Sequence, residues 1–257
     1  MFAYAEALAL LMLILGACAA YWDWPGGAAV RRAGSWLWEW ARANPAAAIL
    51  WILVLMHGLM LAGLPHDVQD QVLRTRSTNL DQMRDDPVAV LVGSALWTEL
   101  SDLPFATAMA FFVWGPAERW LGTPRAVAAF FIGHVGASLL LAGRAAHLVG
   151  SGVLGSEFTT IVDVGVSLGS LCLAGLLVYR LPFAWRLPVI GALLLVIRSS
   201  FFLYGRYSTA GHTIALLIGL LLWPLTRAAS VRARAGTPWI EPVRPAPETV
   251  VPAPPRS

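Results

Sequence analysis

Runs of about 18 or more apolar residues recur along the chain, near 3–22, 46–64, 104–121, 125–149, 161–179, 187–204 and 210–228. As a helix rising about 1.5 Å per residue, such a run covers the roughly 30 Å of a bilayer's hydrocarbon core. Only structures that satisfy every backbone polar group internally can cross lipid, and no alternating strand pattern replaces the helical runs here. The expected fold class is therefore all-α, a polytopic membrane helix bundle. Composition agrees, with 58% of the 257 residues hydrophobic and 13% charged.

The six runs from 46 onward are closely spaced and form the expected core, while the first stands apart. That first run opens MFAYAE, with Glu6 and no basic residue. An export signal needs a positive start, so an uncleaved extra span is expected rather than a leader or a lipoprotein end at LGAC (15–18). Three units follow from this reading: 1–43 with the extra span, 44–228 as the six-helix core, and a tail at 229–257. Seven of the 21 residues from Thr237 to Ser257 are proline, too many for helix or sheet, so the tail is expected to be disordered.

All 18 basic residues are arginine, and their placement sets the orientation. Arg31, Arg32 and Arg42 precede the second run, Arg119 and Arg125 lie in the turn after the third, Arg180 and Arg186 follow the fifth, and Arg227, Arg232 and Arg234 follow the last. With alternating spans these fall on one side, which should be cytoplasmic. The loop 65–103 on the other side carries three arginines against seven acidic residues. Arg198 and Arg206, on or near that outer side, weaken the asymmetry slightly. Arginines dispersed between spans, at a net charge of only +3, do not make a nucleic-acid-binding face. SWLWEWARANP (35–45) sets Trp36, Trp38 and Trp40 beside charged groups, which suits the headgroup region of the inner surface. Cys18 and Cys172 both lie in apolar stretches with no disulfide framework around them.

Polar groups inside these spans are few, and an ionisable one there calls for a reason. IVDVGVSLGSLCLAGLLVY (161–179) carries Asp163 and Ser167, and the co-directional span 210–228 carries His212 near the same outer boundary. A serine and a histidine at similar depth on neighbouring helices make a nucleophile and its base. Gly165 and Gly169 beside Ser167, and Gly211, Ala215 and Gly219 beside His212, let the two backbones approach closely. The bland alternative is a packing serine bonded to the carbonyl one turn back. His57, His134 and His212 together also raise a metal or haem reading, but no HExxH or i, i+4 histidine pair supports it. Neither metal nor cofactor is expected. Asp163, one turn before Ser167, is expected to cap the helix start, or else to orient His212 or pair with Arg206. Glu118 and Arg119 are expected to anchor the inner turn by local pairing and headgroup contact. The acidic outer loop reads as solvated surface.

FFVWGPAERWLGTPRAVAAFFIGHVGASLLLAG (111–143) is similar to the second and third helices of the rhomboid intramembrane proteases. DVGVSLG (163–169) resembles their serine motif, and GHTIALLIG (211–219) resembles their histidine motif with alanine at its first glycine. RSTNLDQM (76–83) and PVAVLVGSALWTE (87–99) look like the first outer loop of a bacterial rhomboid-like branch typical of actinobacteria. The resemblance covers about 44–228. It implies a six-helix rhomboid-like core plus the extra N-terminal helix, with Ser167 as nucleophile, His212 as general base, and Thr107 and Gly165 as oxyanion or substrate contacts. It also implies single-pass membrane proteins as substrates or clients and a multi-pass location in a bacterial plasma membrane.

The departures from the family pattern are specific. Leu103 and Thr107 stand where cutting members carry H-x-x-x-N, and Leu168 follows Ser167 where glycine is usual, which is expected to crowd the nucleophile. Losing an oxyanion donor costs about 10²–10³ in rate. A catalytically silent rhomboid-like protein that binds membrane helices is therefore the alternative to a protease. A small transporter is disfavoured, because the polar groups cluster at one depth instead of tracking across the bilayer.

Overall fold

The computed structural model describes residues 26–153, 164–199 and 201–239, together with Cys18 and Gly155. The first apolar run (apart from Cys18), Asp163 and residues 240–257 lie outside the described residues, and so does the side chain of Arg206.

Among the described residues the fold is all-helical. In chain order the α-helices are α1 (Gly27–Ala43), α2 (Pro45–Ala62), α3 (His66–Arg76), α4 (Leu80–Asp85), α5 (Pro87–Gly93), α6 (Leu103–Met109), α7 (Gly115–Leu121), α8 (Thr123–Gly150), α9 (Ser167–Leu177), α10 (Phe183–Ser199), α11 (Phe201–Leu221) and α12 (Ala229–Ala233). Taken singly, Pro45–Ala62, Thr123–Gly150 and Ser208–Arg227 are long and apolar enough to cross a bilayer, and Ser167–Arg180 is a shorter apolar helix. The run 104–121 is built from pieces: α6 continues into a wide π-helical turn, Ala110–Trp114, and then into α7. Pro116 explains the widening, because it has no N–H for the Phe112 carbonyl and its ring crowds that turn, while Gly115 N–H reaches back to the Ala110 carbonyl instead. α10 has 17 residues, and α11 starts at Phe201, well before the expected 210.

The short helices between α2 and α6 are set by their caps. The Asn79 side chain accepts from Gln82 N–H to start α4, and Asp86 accepts from Ala89 N–H to start α5, with Pro87 at the first helical position. Gly122, at φ +84, ends α7, a backbone state that a side chain would strain, and the chain turns directly into α8.

α9 is the central helix, packed between α8 and α11. Its contacts are made by residues with little or no side chain. A Cβ added at Gly133 would lie 2.1 Å from Cys172 Cβ, one at Gly169 would lie 2.4 Å from the Phe130 ring, and one at Gly219 would lie 2.1 Å from the Cys172 carbonyl oxygen. The Cys172 thiol donates to the Ala129 carbonyl at 3.2 Å across the α8–α9 contact. Close approach of this kind supplies packing where lipid offers no hydrophobic driving force. Gly219→Val is accordingly expected to push α11 off α9 and cost about 3 kcal/mol, read as a lowered unfolding midpoint in detergent.

α1 differs from the surface-lying segment expected at 35–45. Its charged residues Arg31, Arg32, Glu39 and Arg42 are exposed, but Trp40 is buried in the core, 4.4 Å from Phe111 and 6.1 Å from Trp51 between ring centroids. A large aromatic body gains more from burial than from the interface when a pocket is available. α1 thus shares one core with α2 and the π turn, so the boundary drawn at 43 does not separate two packed units.

The boundary drawn at 228 also shifts. α12 packs against α7 with Val231 fully buried, Arg119 donates to the Trp239 carbonyl at 2.9 Å, and Arg180 donates to Thr237. The beginning of the expected disordered tail is therefore ordered on the arginine-rich end of the bundle. Trp239 lies against the Arg180 guanidinium, 4.8 Å from ring centroid to Cζ, a contact no proline count reveals.

Glu118 likewise does more than anchor a local turn. It is buried, and its carboxylate accepts from Ala46 N–H at 3.1 Å, Ala47 N–H at 2.8 Å and the Thr123 hydroxyl at 2.7 Å. The first two are orphan amides at the start of α2, which Asn44 does not cap with its own side chain.

Candidate active site

Ser167 was expected about six residues inside a helix beginning near 161. Instead it is the first residue of α9, and residues 164–166 before it are not helical. The reason lies at Gly165, whose φ of +113 only glycine adopts readily and which keeps the residues just ahead of the serine out of the helix. Ser167 consequently stands at a helix N-terminus, where first-turn amides have no intrahelical acceptor and the positive end of the dipole favours negative charge.

His212 lies in the middle of α11, half-buried like Ser167. Its Nε2 is 2.9 Å from Ser167 Oγ, within hydrogen-bond distance. The pair meets because small residues draw α9 and α11 together: a Cβ at Gly175 would lie 2.7 Å from the Leu216 carbonyl oxygen, and Gly219 touches Cys172 one turn away. The bland alternative for a helix serine is realised by a neighbour instead. Ser170 Oγ donates to the Val166 carbonyl at 2.7 Å and accepts from Trp114 Nε1 at 2.8 Å.

Leu168 does not crowd the nucleophile. It is buried with Ala137 and Ala215 at the junction of α8, α9 and α11, about 100° around the helix from Ser167, and its methyl group would meet a Cβ at Gly211 at 3.3 Å. Leu103 and Thr107 face α2. The Thr107 hydroxyl oxygen accepts from Trp51 Nε1 at 3.1 Å, and Leu103 packs on Gly58, where a Cβ would lie 2.7 Å from its Cδ2. The Gly165 N–H is committed as well, donating to the Ser94 carbonyl at 2.7 Å. Among the described residues, the α9 N-terminus offers donors at Ser167 in place of the groups at Thr107 and Gly165.

Two further residues stand beside the site that spacing alone did not single out. Ser94 and Trp97, from the segment after α5, come next to Gly165, and the Trp97 ring packs against His57, tilted by 47° with centroids 4.7 Å apart. His134 Nε2 lies 3.0 Å from Ser94 Oγ. The signal available in the sequence was a histidine in an apolar helix, since such a group needs a polar partner; which serine would meet it was not visible. His57, His134 and His212 each have a separate partner, and no group of metal-ligating side chains assembles among the described residues.

A family model described as rhomboid-like protein matches residues 39–232, a region that holds both Ser167 and His212. No curated protein and no solved structure matches the chain. The match and the apolar helices identify a multi-pass membrane protein in a lipid bilayer, whose relatives are intramembrane proteases or inactive counterparts. With the matched region covering well over half of its length, the chain belongs to the rhomboid-like protein family.

Proposed function

We propose that this protein is an intramembrane serine protease that cleaves membrane-spanning helices near the outer face, with Ser167 as nucleophile and His212 as general base. The observation that carries the reading is the 2.9 Å contact between Ser167 Oγ and His212 Nε2, made by two half-buried side chains. His212 accepts the hydroxyl proton as Oγ bonds the peptide carbonyl carbon, and returns it to the amine as the C–N bond breaks. Water then hydrolyses the ester, with His212 again the base. The oxyanion formed in each half is held by Ser167 N–H and the adjoining amides at the start of α9, aided by the helix dipole. Substrates are single-pass proteins whose helix unwinds at the site, because an intact helix shields its carbonyls. The site faces away from the arginine-rich end, hence outward from a bacterial plasma membrane. Asp163, outside the described residues, is proposed to cap the helix start or else to orient His212 or pair with Arg206.

The second reading is an inactive relative that binds membrane helices without cutting them. It is favoured by Leu103 and Thr107, both turned to α2 and so not supplying a donor to the oxyanion. A fluorophosphonate probe in detergent separates the two. Ser167 Oγ attacks phosphorus, fluoride leaves, and the proton passes to His212, so the protease reading expects a covalent adduct on the Ser167 peptide. Absence of the adduct in folded protein would favour the binding protein.

A further inference from the structure

The Ser167 pair sits beside a second serine–histidine contact that the chemistry above does not use. Ser94 Oγ and His134 Nε2 are 3.0 Å apart, yet Ser94 has no exposed surface and His134 is 2% exposed, so no peptide carbonyl can reach them. This is not a second nucleophile. A buried imidazole at membrane depth is nonetheless costly, and packing alone would be served by an apolar side chain of the same size.

What His134 holds is informative. Its ring engages the hydroxyl of Ser94, the residue that directly follows α5. The Ser94 carbonyl accepts from Gly165 N–H at 2.7 Å, and Gly165, with φ of +113, lies in the non-helical segment just before Ser167 at the head of α9. Residues on either side of His134 along α8 are tied to α9: Gly133 packs on Cys172, and Ala137, three residues on, packs on Leu168. α8 therefore holds the segment after α5 through His134 and the serine helix through Gly133 and Ala137, and Gly165 bonds to the first of these segments.

Resting on the protease reading, we infer that His134 is a positioning residue for Ser167, acting through Ser94, whose carbonyl fixes the Gly165 backbone and with it the direction of the Ser167 hydroxyl and N–H. Without the His134 contact the Ser94 carbonyl can turn away, Gly165 N–H loses its acceptor, and the first turn of α9 loses its fixed entry angle. A displacement near 1 Å at a reacting group costs about 10²-fold in rate.

The test compares wild type, His134→Phe, His134→Gln and Ser94→Ala in detergent, by three readouts: rate of fluorophosphonate labelling at Ser167, unfolding midpoint, and hydrogen exchange at the Gly165 amide. His134→Phe is expected to slow labelling by about 10²-fold and to accelerate Gly165 exchange, at an unfolding midpoint close to wild type. His134→Gln, whose amide can still meet the Ser94 hydroxyl, is expected to restore most of both, and His134→Phe combined with Ser94→Ala to be no slower than either alone. Wild-type Gly165 exchange in His134→Phe overturns the inference, as does a loss that Gln fails to rescue or that merely follows the unfolding midpoint. If wild-type protein is not labelled at all, the protease reading falls, while Gly165 exchange still decides whether His134 fixes this backbone.

Discussion

Ser167→Ala and His212→Ala each lower turnover of a membrane-helix substrate by about 10³-fold or more, and the double variant is no slower than either single one. A serine hydroxyl is a weak nucleophile until a base takes its proton, and a base with no nucleophile to serve does nothing, so the two act as a unit. The geometry behind this expectation is the 2.9 Å contact between side chains on α9 and α11. Cleavage of a tagged single-pass protein in reconstituted liposomes, followed by gel over a time course, measures it. Losses that multiply in the double variant would mean independent roles. Unchanged cleavage in Ser167→Ala would remove this serine from the chemistry altogether.

Glu118→Ala is expected to destabilise the fold by about 4 kcal/mol, read from unfolding in detergent. The carboxylate accepts three bonds, two of them from the opening amides of α2, where no other side chain caps the helix. Removing it strands those N–H groups away from water, and each orphan buried donor costs about 1–3 kcal/mol. Its negative charge also complements the positive end of the α2 dipole, so Glu118→Gln should recover only part of the loss. Thr123→Ala deletes a single hydroxyl donor and should cost about 1 kcal/mol. Because Glu118 lies at the arginine-rich end, away from Ser167, the fraction of Glu118→Gln that remains folded should still label with fluorophosphonate at the wild-type rate. An Ala variant as stable as wild type would show that water or lipid already satisfies the start of α2.

These two predictions mark different limits of sequence reading. Ser167 and His212 were legible because both sit in otherwise apolar runs, at matching depth on co-directional spans, beside glycines that allow backbones to touch. Glu118 was legible only as a charged residue near a turn. Its partners at Ala46 and Ala47 are 72 and 71 residues away, and nothing in the local pattern points to them. Leu168 was misjudged for a related reason. Adjacency in sequence suggested crowding, but successive helix residues point about 100° apart, and Leu168 is buried in the three-helix junction.

Hydropathy by itself determined that this chain is an all-helical membrane bundle, since long apolar runs leave lipid as their environment and helices as their backbone solution. Arginine placement gave the expected orientation, and the motif residues pointed to the serine and histidine. Only the tertiary structure decided that Gly165 keeps the residues just ahead of Ser167 out of the helix so that Ser167 heads α9, that Thr107 and Leu103 turn to α2, and that Trp40 and residues 229–239 pack onto the bundle. The physical reason is the same in each case. Periodicity reports how much surface a segment must hide, whereas the direction of a single side chain depends on which distant helix offers it a partner.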